Sequence, residues 1–430
     1  MGWTTILRAA GPLFLAALLA ACAGLPGAGP NPAPEPLKPV MPEVELPRGA
    51  FFTVNASGVN RLDDAAFARL TRGAAYVLFG EGHAVTCDHG VQARALRAMA
   101  GAGRAPVVGL EMVPVDKEPV LEQFSRGRIP VDTLEKAVDW PGVWGYPFDA
   151  YRPVFETAAE LGLPVAALNL PKAVVRSLSA KGVEGLTPEE AAWMPYQLIP
   201  PPPSQRESLA EDFEVHRYFR TMGRVHGPGG AGAAAEVAGQ GEAAAAPDPD
   251  AEREKARFFT VQAAWDSKMA ESAVETRNKY DKPVAVLAGG GHVEYGWGIA
   301  SRLLGLDPGA PILLVMPWRG SGPVDPTVAD VFFHCPETHS SRLGFMLEAR
   351  DKSALVVEVR PDSPADKAGF LAGDLVTAAG GEPVDGLWSL HSAAAKARVE
   401  GRPLVFSVQR GDQRLEISMT VETGGPDPGK

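Results

Sequence analysis

The sequence predicts an α/β protein with a mostly parallel sheet flanked by helices, followed by a small α+β domain. Short apolar segments alternate with helix-like segments through the first three quarters of the chain, which is typical of parallel strands joined by helices. These segments lack apolar–polar alternation, as expected when helices cover both faces of the sheet. After about residue 340 the strand-like segments do alternate. With 430 residues the chain is long enough for two or three domains.

The first 48 residues predict export and a tether. Arg8 precedes an apolar run, Ala9–Ala21, which is shorter than a membrane span and has the pattern of a signal peptide over residues 1–21. The sequence Leu18–Cys22 resembles a bacterial lipobox, which implies lipid attachment at Cys22. A plain signal peptide with an incidental cysteine is the alternative. Residues 22–48 are rich in Pro, Gly and Ala and predict an extended tether.

The residue after the lipobox cysteine bears on location. Ala23 stands where an aspartate usually retains a lipoprotein in the inner membrane. The lipobox resemblance therefore implies the periplasmic face of the outer membrane. The net charge of −11 argues against nucleic-acid binding, and the sequence leaves a homodimer open.

Residues 50–335 predict the large α/β domain. The predicted strands are Tyr76–Phe79, Val107–Leu110, Pro164–Leu168, Val284–Ala288 and Ile312–Met316. The predicted helices are Asp64–Leu70, Val91–Met99, Tyr151–Leu161, Ala173–Ser179, Glu207–Met222, Arg257–Arg277 and Gly298–Leu304. A Gly/Ala-rich segment at about 226–252 predicts a disordered insertion, because it lacks the apolar residues that a packed core requires.

Polar side chains follow three of the predicted strands where each strand ends. Glu81 and His83 follow the first strand, Glu111 the second, and His292 the fourth, after three glycines. Open α/β sheets bind ligands at the carboxyl ends of their strands. Carboxylate and imidazole groups are ligands for zinc, iron or manganese. We therefore expect Glu81, His83, Glu111 and His292 to form one site, with the last three as metal ligands.

His89 can join this site only from a particular position. His83 and His89 are six residues apart and cannot share one helical face. A joint role requires His83 in a loop and His89 at the start of the following helix. The positive end of the helix dipole disfavours imidazolium there, so we expect His89 to be neutral.

Two cysteines remain besides Cys22. In an oxidising compartment Cys87 and Cys335 could form a disulfide. Cys87 also lies between His83 and His89, so a free thiol near a metal is an equal alternative.

Six separated stretches between residues 72 and 318 resemble the ChaN family of haem-binding lipoproteins, within the wider Tiki/TraB-type superfamily. They are Gly80–His83 with His89, Leu110–Met112, Trp140–Pro153, Ala167–Pro171, Ala264–Ala270 and Gly290–Gly296. Members commonly carry a His-His pair where this chain has His89-Gly90. The resemblance implies binding of haem or iron and a role in its acquisition.

The same resemblance implies candidate haem contacts. These are His83, His89, Tyr146, Tyr151 and Tyr295, since imidazole and tyrosinate both bind haem iron. Aromatic residues between Trp140 and Tyr151 suit a flat porphyrin, and packing in a core or lid is the alternative.

The Tiki branch implies a different function, that of a metal-dependent hydrolase. Glu81 would then act as base towards water on a zinc or manganese ion bound by His83, Glu111 and His292. The sequence lacks a Gly-x-Ser-x-Gly elbow and a phosphate-binding Gly-x-x-x-x-Gly-Lys loop, which argues against a serine hydrolase and a nucleotide-binding protein.

Residues 340–422 resemble a bacterial PDZ domain. The matching pattern includes Ser363–Phe370 and Gly373–Val376. The resemblance implies a partner that presents its C-terminal peptide, which would suit either a haem-binding protein or a hydrolase. The loop that would hold the peptide carboxylate comprises Leu343, Gly344, Phe345 and Met346.

The lipobox gives the first testable prediction. We expect Cys22→Ala to leave unprocessed precursor and to abolish labelling by a fatty-acid analogue, because the acyl acceptor is lost. Metabolic labelling of cells that express each form measures this, and labelling that survives the substitution contradicts lipidation at Cys22.

Overall fold

The computed structural model describes residues 38–420, except for 44, 84, 212, 215–248, 321, 337, 342 and 351. The predicted signal peptide, Cys22, most of the tether and the insertion up to residue 248 lie outside the described residues. In the part of the chain that the structure describes, no helix combines the length and apolar composition needed to cross a membrane.

Eight strands form the sheet of the large domain. They are β1 (Phe51–Asn55), β2 (Gly58–Leu62), β3 (Tyr76–Glu81), β4 (Val107–Pro114), β5 (Val165–Asn169), β6 (Val284–Gly289), β7 (Ile312–Trp318) and β8 (Val331–His334). Their order across the sheet is β2-β1-β8-β7-β3-β6-β4-β5. The six strands from β8 to β5 are parallel, and β1 adds to β8 in the antiparallel direction with β2 beside it. The predicted mostly parallel sheet is confirmed.

Helices cover both faces of this sheet. They are α1 (Asp64–Thr71), α2 (Thr86–Gly101), α3 (Glu118–Ser125), α4 (Val131–Val138), α5 (Trp140–Val143), α6 (Phe148–Leu161), α7 (Lys172–Lys181), α8 (Pro188–Ala191), α9 (Pro249–Tyr280) and α10 (Ile299–Leu306). On one face Val77 and Phe79 of β3 share a core with Leu96 of α2. On the other, Leu78 shares a core with Met269 of α9. This double burial explains why the strands lack polar alternation.

The structure extends the predicted elements and adds others. All five predicted strands are present, and β4 runs on to Pro114. The prediction missed the β1–β2 hairpin, the short strand β8, and the helices α3, α4, α5 and α8. The end of the predicted insertion, at about residue 252, overlaps the first turn of α9, which begins at Pro249. A helix was predicted at Glu207–Met222. In the structure residues 203–211 are helical, and residues 215–222 lie outside the described residues.

A disulfide joins Cys87 to Cys335, with 5.8 Å between their Cα atoms. The alternative of a free thiol at Cys87 is therefore wrong in this structure. The bond connects the first turn of α2 to the residue after β8, 248 positions along the chain. It fixes the start of the helix that carries His89.

The second domain is a small antiparallel sheet with two helices. Its strands are β9 (Thr338–Ser340), β10 (Phe345–Arg350), β11 (Ser353–Val359), β12 (Leu375–Ala379), β13 (Glu382–Pro383), β14 (Leu404–Arg410) and β15 (Gln413–Met419), and its helices are α11 (Pro364–Ala368) and α12 (Leu387–Val399). Phe345, Phe370 and Phe406 meet in its own core. The predicted small α+β domain is confirmed.

The disulfide gives a prediction on stability. We expect the double variant Cys87→Ala/Cys335→Ala to lower the free energy of unfolding by about 2–4 kcal/mol, since the unfolded chain regains freedom. Guanidinium denaturation measures this. Dithiothreitol should lower the midpoint of the wild type and leave the double variant unchanged. Equal stability of the two oxidised proteins would contradict the bridge.

Candidate functional site

The candidate site lies at the carboxyl ends of β3, β4 and β6, in the middle of the sheet. After β3 the chain forms β4 and β5 on one side of that strand. It then returns through β6, which lies between β3 and β4, and forms β7 on the other side of β3. This reversal of strand order leaves a crevice at the strand ends, where open α/β sheets bind ligands. Glu81 ends β3, Glu111 lies in β4, and His292 follows β6 within three residues.

Glu81 is the centre of the first half of the site. Its side chain is fully buried, and both of its carboxylate oxygens have partners. Oε1 accepts a hydrogen bond from the Tyr151 hydroxyl at 2.7 Å and lies 3.1 Å from Nδ1 of His83. Oε2 accepts one from the Gln92 amide at 2.9 Å and lies 3.4 Å from Nδ1 of His89. Four donors therefore converge on one buried anion. His83 comes from the loop between β3 and α2, His89 and Gln92 come from α2, and Tyr151 comes from α6.

These contacts set the charge of the cluster. Burial alone would raise the pKa of Glu81, but the neighbouring His89 and the hydrogen bonds from both histidines outweigh it and lower that pKa. Burial and the charge of Glu81 together raise the pKa of Tyr151. The carboxylate is thus ionised and the phenol neutral, so Tyr151 acts as a hydrogen-bond donor.

The structure corrects the expected state of His89. Its position near the start of α2 is as predicted, but its side chain is fully buried. Burial lowers the pKa of His89, yet the charge of Glu81 and its hydrogen bond more than compensate, and the pKa is raised. The neighbouring carboxylate outweighs the helix dipole, so the expectation of a neutral His89 is wrong.

His83 is the member of this half that reaches the surface. Its side chain is 26% exposed, and its ring contacts Trp144 and Tyr146 at centroid distances of 4.8 and 5.2 Å. Because Nδ1 faces Glu81, Nε2 points away from the carboxylate. A Cβ atom at Gly289 would lie 2.7 Å from Cε1 of His83, so the close approach of the ring to β6 requires glycine there.

His292 is the centre of the second half. Its Nδ1 lies 2.7 Å from Oδ1 of Asp266, and its Nε2 lies 3.6 Å from Oε1 of Glu111. Glu111 also accepts the backbone N–H of Gly289 at 2.6 Å. Burial lowers the pKa of His292, but the charges of Glu111 and Asp266 raise it to about 9. His292 is therefore an imidazolium between two carboxylates at neutral pH.

Asp266 is held in turn by two buried partners. Gln205 donates to its Oδ2 at 2.9 Å, and Arg302 lies 3.5 Å from the same atom and donates to Gln205 at 2.8 Å. The sequence analysis included Asp266 only as part of the stretch Ala264–Ala270 and missed Gln205, Arg302 and Gln92. Arg302 is a lone charge in the apolar helix α10, a pattern that could have identified it.

The structure separates the expected haem contacts into two groups. Tyr151 is 1% exposed and His89 is fully buried, so both support the site from inside and present no donor atom to solvent. Tyr146 is 41% exposed beside His83. Tyr295 stacks on Trp297 at 4.1 Å, away from the Glu81 contacts described above. The aromatic segment thus contributes to both the core and the surface.

The metal site expected from His83, Glu111 and His292 is not assembled. Within the described residues, no group of three or more His, Cys, Asp or Glu side chains has an arrangement that could hold a metal ion. Both nitrogens of His292 face carboxylates, Asp266 and Glu111, whereas His83 pairs with Glu81, so the three side chains do not converge on one point. We therefore derive no metal-dependent step from this geometry.

The parallel sheet and the polar cluster at its switch point define a ligand-binding α/β domain. Residues 67–303, more than half of the chain, match the family described as "Haem-binding uptake, Tiki superfamily, ChaN". The chain belongs to this family. Residues 341–421 match the PDZ domain family.

The individual relatives are similar over limited parts. The serine protease HTRA1 of Xenopus tropicalis is 37% identical over 67 residues, 16% of this chain and 14% of the relative. A probable periplasmic DegP-like serine endoprotease of Brucella suis is 35% identical over 82 residues, 19% of this chain and 16% of the relative. The chain thus spans about one seventh of these curated relatives.

Among solved structures, "Cofacial heme binding to ChaN of Campylobacter jejuni" is similar with a TM-score of 0.47 and 15% identity. The similarity covers 69% of this chain and 98% of that chain.

The charge of His292 gives a prediction on pH. Its pKa is higher in the folded protein than in the unfolded chain, so its stabilisation is fully present below pH 6.5 and is lost as the pH rises to about 9. We expect the free energy of unfolding to fall across this window, by on the order of 3 kcal/mol.

His292→Gln supplies the comparison for this prediction, because its side chain does not titrate. The free energy of unfolding, measured by urea denaturation at each pH, should fall clearly less in this variant than in the wild type. The NMR signal of the His292 ring should titrate near pH 9. An equal fall in both proteins would contradict the imidazolium.

Proposed function

We propose that this chain is an envelope lipoprotein whose α/β domain binds haem for iron acquisition and whose PDZ domain binds the C-terminal peptide of a partner protein. Family membership supports the haem-binding class. The observation that carries the assignment to this site is the exposed pair of His83 and Tyr146 at the strand ends.

The residues at this surface fit haem. Tyr146 and the half-buried Trp144 offer flat aromatic surface beside His83, and phenolate and imidazole are both axial ligands of haem iron. We assign haem contact to Tyr146 and His83. Bound haem would carry iron as the cargo of the protein. Glu81 holds the His83 ring through Nδ1, so that Nε2 of His83 points away from the carboxylate.

The geometry favours this proposal over the metal-dependent hydrolase. Glu81 has partners on both oxygens and a lowered pKa, so it is poorly suited to accept a proton from water. It acts as a fixed anion that orients His83 and Tyr151. His292 is also already protonated at neutral pH.

The lipid anchor and the PDZ domain complete the proposal. A lipobox at Cys22 and the tether after it would hold the folded part at the outer membrane on the periplasmic side, where the Cys87–Cys335 disulfide is stable. The PDZ domain would bring the haem site to a membrane protein that exposes its C-terminus.

A haem titration tests the site. We expect a saturable Soret shift in the wild-type protein, and at least a tenfold loss of affinity, about 1.4 kcal/mol, in Tyr146→Phe because the phenolate is lost. Tyr280→Phe is the matched control, because Tyr280 ends α9 just before β6 begins and so lies at the amino end of that strand, opposite the site.

Two results would count against this assignment. Absence of a saturable shift in the wild type contradicts haem binding altogether. Weaker binding in Tyr295→Phe with unchanged binding in Tyr146→Phe would move the haem away from His83.

A further inference from the structure

The strand that would bind a peptide in the PDZ domain has both of its edges paired. One edge of β10 pairs with β11. The other edge pairs with β9 in the register Met346↔Ser340, Leu347↔His339 and Glu348↔Thr338. A peptide that joins this sheet beside β10 needs a free edge, because its main chain must bond to the strand. The chain's own strand β9 occupies that edge.

The hydrogen bonds at the start of β10 follow the same pattern. The backbone N–H of Ser341 donates to the carbonyl of Phe345 at 2.8 Å. Bonded pairs recur every second residue in an antiparallel ladder, so the next bonded pair in this register is His339 with Leu347. Ser340 lies between them, with its N–H directed away from β10.

The loop that would hold a peptide carboxylate is also engaged by Ser341. The N–H of Gly344 donates to the Ser341 carbonyl at 3.0 Å, and the N–H of Leu343 donates to the Ser341 hydroxyl at 3.1 Å. Two N–H groups of the loop that would bind the carboxylate are therefore already bonded to oxygens of Ser341. An incoming carboxylate must replace both bonds.

The rest of the loop is held independently of Ser341. The carbonyls of Leu343 and Gly344 accept hydrogen bonds from Ala365 and Arg360 at 2.8 and 2.7 Å. Gly344 has φ +94°, and a Cβ there would lie 2.1 Å from the Ser363 side chain. These contacts hold the carboxylate loop from within the PDZ domain and do not involve β9.

Two connections tie β9 and β10 to the large domain. Thr338 follows the disulfide-bonded Cys335 by three residues, which limits how far β9 can move. Across the sheet, Glu348 of β10 forms an ion pair with Arg48 at 3.0 Å, and Arg48 precedes β1 of the large domain. The local concentration of β9 at this edge is therefore high.

We propose that β9 is an internal ligand of the PDZ domain and that a C-terminal peptide binds only after β9 leaves β10. The inference rests on the proposed peptide-binding role of this domain. The pairing of β9 with β10 must break before a peptide can pair with β10. The occupied edge therefore weakens the apparent affinity of the domain for the peptide. The partner that fits has a free C-terminal carboxylate and an extended tail.

A pair of proline variants of the full chain tests this inference. His339→Pro removes an N–H that bonds to β10, whereas Ser340→Pro removes one that faces away, so the second is the matched control. The probe is a labelled pool of hexapeptides that end in Val, Ile, Leu or Phe with a free carboxylate. We expect His339→Pro to bind at least tenfold more tightly than the wild type, and Ser340→Pro to bind like the wild type, by fluorescence anisotropy.

The C-terminally amidated pool separates failure of this inference from failure of the proposed function. Equal, carboxylate-dependent binding by the wild type and His339→Pro would overturn the internal ligand and leave the peptide-binding role intact. Absence of carboxylate-dependent binding in all three proteins would overturn the peptide-binding role, and the inference with it.

Hydrogen exchange of the wild type keeps the test independent of how the variants fold. Saturating peptide should speed exchange of the Ser341 amide and leave the amides of β11 protected, because only β9 is released. A Ser341 amide that stays protected while peptide is bound would also overturn the inference.

Discussion

The structure of the site depends on one buried carboxylate. Glu81 lies at the end of the central strand, and its ionised form is tolerated only because donors occupy both oxygens. These donors come from α2, from α6 and from the loop between β3 and α2, so a single anion connects three parts of the domain. A buried charge that loses a partner costs more than the hydrogen bond itself. The buried members of this cluster thus support His83, whose side chain is 26% exposed beside Tyr146.

The two halves of the site meet at Gly289. His83 lies against its Cα on one side, and Glu111 accepts its N–H on the other. The halves carry different charge arrangements: Glu81 is surrounded by donors, whereas His292 is a cation between Glu111 and Asp266. The fixed cation lowers the cost of placing Glu111 of β4 close to Asp266 of α9.

Local patterns predicted the central strands and the residues at their ends, because an apolar run closed by glycine and followed by acidic or imidazole groups depends on few neighbours. The β1–β2 hairpin was not predicted, because β1 pairs with β8 and this pairing joins residues as far apart as 51 and 333. The prediction that His89 is neutral was wrong, because the carboxylate that raises its pKa is Glu81, which lies in β3 and not in α2. A metal site was expected from residue types alone, but within the described residues His83 pairs with Glu81 and His292 with Asp266 and Glu111, and the three expected ligands do not converge. Gln92, Gln205 and Arg302 are ordinary residues in sequence and become important only through burial.

The disulfide relates the two domains in a specific way. Cys87 adjoins Asp88, which accepts the N–H of Gly82 and forms two hydrogen bonds with Arg319. Arg319 also donates to the carbonyl of Cys335, the residue that precedes the segment leading to β9. The site loop and the internal ligand of the PDZ domain are thus fastened at one point. Because that point is held by a covalent bond and a bidentate ion pair, it lacks the second arrangement that energetic coupling requires. We therefore expect any release of β9 to be confined to the residues beyond Cys335 and to leave the loop that carries His83 in place.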